Sequence, residues 1–225
     1  MRARFILTLT LALIVLAVLV SLGIWQVNRL AWKQGVIADI EARIGAAPVE
    51  LPAVPDPVAD RYLPVRLSGK LTGEGVRVLV STRDAGAGYR IIQVLTTGDG
   101  RRVLVDLGFQ SVESHSELGL EGPLSVTGNL HWPDEVDRWT PAPEPENLLY
   151  FARDVPVLAQ KLRTEPLLVV ARATTPPIGA IRPLPISTAA IPNRHLEYVI
   201  TWFSFAAIWS MMTAVVLWRI WRRTP

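Results

Sequence analysis

Residues 5–23 read FILTLTLALIVLAVLVSLG, nineteen positions without a charge. A helix rises about 1.5 Å per residue, so this run reaches about 28 Å, close to the hydrocarbon thickness of a bilayer. Its counterpart, residues 198–218, reads YVITWFSFAAIWSMMTAVVLW, twenty-one positions and again uncharged. Two such runs near the two ends of 225 residues predict a membrane protein with two spans. Arg2 and Arg4 ahead of the first run, and the small-x-small triplet Ser21-Leu22-Gly23 at its end, also suit a cleaved signal peptide. The run outlasts a signal core of roughly 7–15 residues, and no helix breaker interrupts it before Gly23, so an uncleaved anchor is expected.

The flanks set the expected orientation. Arg219, Arg222 and Arg223 follow the second run without an acid, and Arg2 and Arg4 precede the first. On the inner flanks, Arg29 and Lys33 are balanced by Asp39 and Glu41, and Arg194 by Glu197. The positive-inside rule then places both termini in the cytoplasm, or the equivalent matrix side, and the middle outside. The formal charge of +3 thus has a topogenic origin and does not argue for a nucleic-acid partner. Trp25, Tyr198, Trp218 and Trp221 lie where interfacial aromatic belts belong, against membrane lipid. With no cysteine in the chain, disulfides, a CxxCH haem attachment and a CxxxC copper site are all excluded. The outer domain must therefore be held by a core.

The expected organisation runs as follows: a cytoplasmic N-terminus (1–4), a first span (5–23), a helical stalk (24–44) and a Pro/Ala linker (45–60). A periplasmic β domain (61–175), a proline-rich return (176–194), a second span (195–218) and a basic cytoplasmic tail (219–225) complete it. Trp25, Trp32, Val36, Ile40 and Ile44 recur at three-to-four spacing, the stripe of a stalk that packs on the outer domain. From Arg61 the period changes to two, and LPVRLSGKL, VRVLVSTR, YRIIQVLTT, RRVLVDLGF, LSVTGNLHW and PLLVVARA each read as a strand. Leu124, Val126, Gly128 and Leu130 alternate with Ser125, Thr127 and Asn129, predicting one buried and one wet face. Thr97-Gly98-Asp99-Gly100 marks a hairpin. One short helix is expected, with Asp154 as N-cap, Pro156 in its first turn, and Val157, Leu158 and Leu162 on one side. The fold class is two transmembrane helices flanking an extracytoplasmic, mostly antiparallel-β domain, a small barrel or sandwich with one short helix.

Few residues offer chemistry. His195, at the edge of the second span, reads either as a polar end to that span or as an axial ligand to haem iron or a proton-handling group. Trp202 and Trp209 follow it by seven and fourteen residues, on roughly one helix face. Arg29 and Lys33 either ride at the membrane surface beside lipid phosphates or hold porphyrin propionates or an acidic partner. STRDAGAGYR lacks the lysine-serine ending of a phosphate loop and is followed by a strand, so it reads as a hairpin connection. Asp134, Glu135 and Asp137 read as solvated loop acids rather than a hydrolytic pair, and His115 and His131 stand without a second ligand at metal spacing. No Ser-His-Asp order or GxSxG elbow occurs, so no enzymatic activity is expected.

LGIWQVNRLAWKQGVI, RDAGAGYRIIQVL, DGRRVLVDLGF, LSVTGNLHWP, YFARD and NRHLEYVITWFSFA occur in that order. Together they resemble the successive motifs of the Surfeit-locus (Shy-type) cytochrome oxidase assembly family, over most of the chain and with its two-span layout. The resemblance implies a factor in the bacterial cytoplasmic (inner) membrane that assists a haem-copper terminal oxidase. It would bind haem a transiently and help its insertion into catalytic subunit I, with haem a synthase as a further partner. The family's proposed haem ligand maps onto His195, and its implicated tryptophan onto Trp202. Its Trp-Gln-x-x-Arg-Leu motif maps onto Trp25, Gln26, Arg29 and Leu30, for which packing between the spans is the expected role. Arg29 is the candidate to neutralise a propionate. The rival reading is a scaffold that stabilises oxidase assembly intermediates without touching haem. Leu107-Gly108-Phe109-Gln110 and His131-Trp132-Pro133 depart from the family pattern, each lacking its arginine, which puts the partner surface of the outer domain in question.

Overall fold

The structure, a computed structural model, describes residues 2–114, 118–179, 181–189 and 191–222; His115 and Arg223 lie outside them. Its elements in chain order are α1 (Arg2–Gly45), β1 (Val49–Glu50), β2 (Pro64–Thr82), β3 (Gly86–Thr97), β4 (Arg102–Ser111), β5 (Glu121–His131), β6 (Leu149–Tyr150), α2 (Val155–Leu162), β7 (Leu168–Thr175) and α3 (His195–Arg222). They fall into two units, Met1–Asp39 with Thr188–Pro225, and Ile40–Ser187.

The first unit is an antiparallel helix pair. Both α1 and α3 are long and apolar enough to cross a bilayer, with mean hydropathy reaching 2.9 and 1.8 over their most apolar stretches. Large side chains such as Leu7 and Met211 stay exposed, as lipid-facing residues must. The less exposed positions of α1 run Phe5, Leu9, Ala12, Leu16, Leu19, Gly23, Gln26 and Leu30, spaced alternately by four and three. Those of α3 run His195, Val199, Trp202, Ala206, Trp209, Thr213 and Leu217. Such a heptad seam keeps two helices in contact along their length. Lipid gives apolar side chains no reason to prefer each other, so small residues that allow close approach drive the pairing. Ala12, Gly23 and Ala206 are those residues; a Cβ on Gly23 would lie 2.9 Å from the ring of Phe203. The hydroxyls of Thr201 and Ser210 donate to the carbonyls of Glu197 and Ala206 one turn back, so neither is left bare in the span.

The second unit is a closed β-sheet. β2 pairs β3, β3 pairs β4, β4 pairs β7, β7 pairs β5 and β5 returns to β2. Every main pairing is antiparallel except β4 with β7, which is parallel. The short β1 and β6 add to β2, both in parallel. The two strands expected from LPVRLSGKL and VRVLVSTR are one long β2, bent where its register against β3 shifts between Leu71 and Gly75. Gly73 adopts φ 80° in that bend, a conformation costly to any residue with a Cβ. Before the bend β2 closes the barrel against β5; beyond it β2 continues along β3.

Val65, Leu67, Ile91, Leu95, Val103, Val105, Val126, Leu130 and Val169 fill one core cluster. The opposite face of the same strands, with Val76, Ile92, Val94, Leu104 and Leu168, packs under α2 in a second. Middle strands buried on both faces explain why IIQVL and VLV are apolar runs rather than alternations. α2 starts where expected, with the Asp154 carboxylate accepting from the backbone N–H of Val157. Its buried side is Val155, Leu158, Ala159 and Leu162, while Val157 is exposed: at the helical period 155, 158, 159 and 162 share a face that 157 does not join.

Two further residue-level expectations are corrected. Asn129, placed on the wet face, is fully buried, because its amide donates to the carbonyls of Ile44 (3.0 Å) and Tyr62 (2.9 Å). Ile44 lies in the last turn of α1, whose carbonyls have no intrahelical donor; Asn129 and Arg172 (3.1 Å) supply one each. Of the stalk stripe, Trp25, Trp32 and Val36 are exposed, whereas Ile40 and Ile44 are partly buried. The departures at 107–110 concern the interior rather than a surface: Leu107, Phe109 and Gln110 are all buried.

Candidate functional site

His195 is the first residue of α3, following the Pro192-Asn193-Arg194 segment that lets the chain enter the helix. Its ring is half-buried, and Nδ1 lies 2.8 Å from Oε1 of Gln26 on α1. Gln26 is 8% exposed, a polar residue inside the seam of an apolar helix pair. Nε2 of His195 has no hydrogen-bond partner among the described residues. The amide oxygen of Asn193, two residues earlier, is buried without a donor among them. The site thus presents an imidazole held by one nitrogen.

Trp202 lies on the same seam, partly buried, with its ring edge-on to Phe205 at 6.2 Å. Trp209 donates its indole N–H to the carbonyl of Ala12 on α1 at 3.0 Å, which satisfies a polar group in the span and pins the two helices in register. Arg29 is exposed, its guanidinium 3.9 Å above the ring of Trp32. Of the four residues of the Trp-Gln-x-x-Arg-Leu motif, Gln26 and Leu30 face the partner helix, while Trp25 and Arg29 do not. Gln26 packs between the helices as expected, but its hydrogen bond to His195 is what sequence reasoning missed. A carboxamide among apolar residues, three positions after a glycine and on its helix face, was the available signal.

The second unit holds a buried charge network. Asp106, fully buried, accepts from Arg90 (2.6 Å) and Arg153 (3.2 Å) and from the backbone N–H of Gly108 (3.1 Å). Glu135 pairs with Arg153 through both carboxylate oxygens and takes its backbone N–H at 2.9 Å. Burial pushes the Glu135 carboxyl up, but the Arg153 guanidinium overrides it and holds the group below the usual range. His131 stacks on Tyr62 at 5.5 Å, and burial, then the positive field of Arg153 and Arg61, lowers its pKa to about 4. Asp137 accepts from the backbone N–H of Trp139 and the hydroxyl of Thr140, an arrangement that stiffens a loop. The three loop acids are therefore not gathered into a catalytic pair: Glu135 serves the network and Asp137 its own turn. No group of three His, Cys, Asp or Glu side chains capable of holding a metal occurs among the described residues.

The SURF1 family model matches residues 13–207. Surfeit locus protein 1 of Rattus norvegicus is 29% identical over 233 residues, covering 91% of this chain and 73% of its own. The Homo sapiens protein of the same name is 27% identical over 219 residues, with 85% and 71% covered. A SURF1-like protein of Rickettsia bellii (strain RML369-C) is 26% identical over 226 residues, with 94% and 89% covered.

Proposed function

Because the chain belongs to the SURF1 family of cytochrome oxidase assembly factors, we propose that it binds haem a transiently and assists its insertion into the catalytic subunit of a haem-copper oxidase. The observation that carries this reading is the half-buried His195 imidazole, held through Nδ1 by Gln26 and open at Nε2. A neutral imidazole nitrogen is a good haem ligand. The residues present fit the group: one imidazole nitrogen donor and a tryptophan on the same seam. His195 would hold the iron, Trp202 would flank the macrocycle, and Arg29, released from Trp32, would neutralise a propionate. A carrier needs one protein ligand rather than two, since its cargo must leave. Catalysis is not part of the proposal: the protein binds, shelters and hands over.

In the same reading the chain sits in a bacterial cytoplasmic membrane with both termini inside and the β unit in the periplasm. That unit would dock on nascent oxidase or on haem a synthase. The test is the visible spectrum of the detergent-purified protein from cells making haem a. Haem should co-purify with the wild type and fall several-fold in His195→Ala. Undiminished haem in that variant overturns the ligand role. A featureless wild-type spectrum favours the scaffold that stabilises intermediates without cargo.

A further inference from the structure

We infer that Gln26 is a positioning residue for His195: its side-chain oxygen selects the imidazole tautomer and thereby assigns Nε2 as the nitrogen that meets the cargo. The inference rests on the haem-binding reading for its purpose but not for its chemistry. Oε1 of Gln26 lies 2.8 Å from Nδ1 of His195. A carboxamide oxygen only accepts, so Nδ1 carries the proton and Nε2 the lone pair. An imidazole free in water prefers the reverse, with its proton on Nε2 and its lone pair on Nδ1. That nitrogen is crowded by the backbone and a poor ligand for a bulky macrocycle.

Two features make this hydrogen bond a device rather than a surface contact. Gln26 is 8% exposed, so water competes poorly for its oxygen, and an unpaired buried amide would cost about 1–3 kcal/mol. The seam around it also fixes where that oxygen points. Gly23, one turn earlier on the same face, brings the helices close, and the Trp209 bond to Ala12 sets their register. A ligating histidine that donates its other N–H gains basicity and a fixed ring orientation, and loss of the acceptor typically weakens metal affinity about 10–100-fold. A neutral carboxamide polarises the ring less than a carboxylate would, which suits a ligand that must let go.

The test reads the tautomer directly, without haem. The chain has three histidines, so ¹⁵N-histidine-labelled protein in detergent gives few resonances, and those of His195 are identified by their loss in His195→Ala. At a pH where imidazole is neutral, His195 should show a pyrrole-type Nδ1 and a pyridine-type Nε2. Gln26→Leu should return it to the opposite form, and Gln26→Glu should keep the wild-type form. In haem-loaded protein, Gln26→Leu should bind about tenfold more weakly, and Gln26→Glu should lower the haem midpoint potential relative to wild type. A pyrrole-type Nε2 in the wild type overturns the inference, as does a Gln26→Leu spectrum with the wild-type tautomer. The wild-type spectrum alone decides, should a variant fail to fold. The outcomes separate the two claims. A correct tautomer in a protein that never takes up haem sinks the carrier and spares Gln26, whereas haem uptake with the wrong tautomer does the reverse.

Discussion

His131 shows how little of a position's environment its neighbours in sequence reveal. It reads as an isolated polar residue at a strand end, yet it stacks on Tyr62 with a buried Nδ1 that has no partner among the described residues. Burial and the arginines Arg153 and Arg61 lower its pKa from 6.5 to about 4. The folded state therefore favours the neutral ring. Its contribution is fully present above pH 6.5 and lost as pH falls towards about 4. Between pH 6.5 and 5 the loss should reach about 1 kcal/mol after discounting for partial exposure, visible as a falling denaturation midpoint. His131→Phe, which preserves the stack, should flatten that decline. Glu135, held low by Arg153, adds its own loss only further into acid. None of this was legible in the sequence, because the arginines that lower the His131 pKa come from residues tens of positions away. His195 differs: its place at the head of an apolar run marked it, although the nitrogen it leaves open depends on Gln26, 169 residues earlier.

At the scale of elements, the sequence was most readable where a pattern is local. The Asp154 cap, the Thr97–Gly100 turn and the two apolar helices follow from residues within a few positions of one another. The turn closes as expected, with Thr97 donating to the carbonyl of Arg101 at 2.9 Å. What could not be read is what neighbouring elements require. A break at Thr72-Gly73-Glu74 looks like the end of a strand, but here it bends a continuous one so that a single strand serves two partners. Gly108 is the sharper case. It holds φ 124° beside the β3–β4 register shift, and an added Cβ would lie 2.2 Å from the carbonyl oxygen of Arg182. That oxygen accepts from the N–H of Phe109 at 2.7 Å, so it has no freedom to retreat. Gly108→Ala should destabilise the β unit by about 2–4 kcal/mol, through a left-handed conformation and a backbone clash together. Urea denaturation followed by tryptophan fluorescence measures it; a change below about 0.5 kcal/mol would show that the segment at 182 yields freely.

For the molecule as a whole, the expected class is what the structure shows: an apolar helix at each end of the chain and, of the barrel or sandwich left open, a closed sheet, because hydrocarbon-length runs and period-two strands are signals that tertiary context rarely overrides. The sidedness of the membrane is carried by charge alone and is open to experiment. The chain has no cysteine, so single-cysteine variants report without background. An impermeant maleimide applied to intact spheroplasts should label Ser114→Cys, exposed beside β4, and should spare Thr224→Cys until the membrane is permeabilised. The opposite pattern inverts the topology. One consequence follows from the way the sheet closes. β7 is the last strand made, and it wedges between β4 and β5, which no other strand joins. Until residues 168–175 are in place, the other barrel strands β2, β3, β4 and β5 form an open ribbon with two raw edges and apolar faces on both sides. Closure of the sheet must outrun aggregation at that stage. A chain truncated just short of its final strand should be cut by proteases and held by chaperones, whereas one that includes it should resist both.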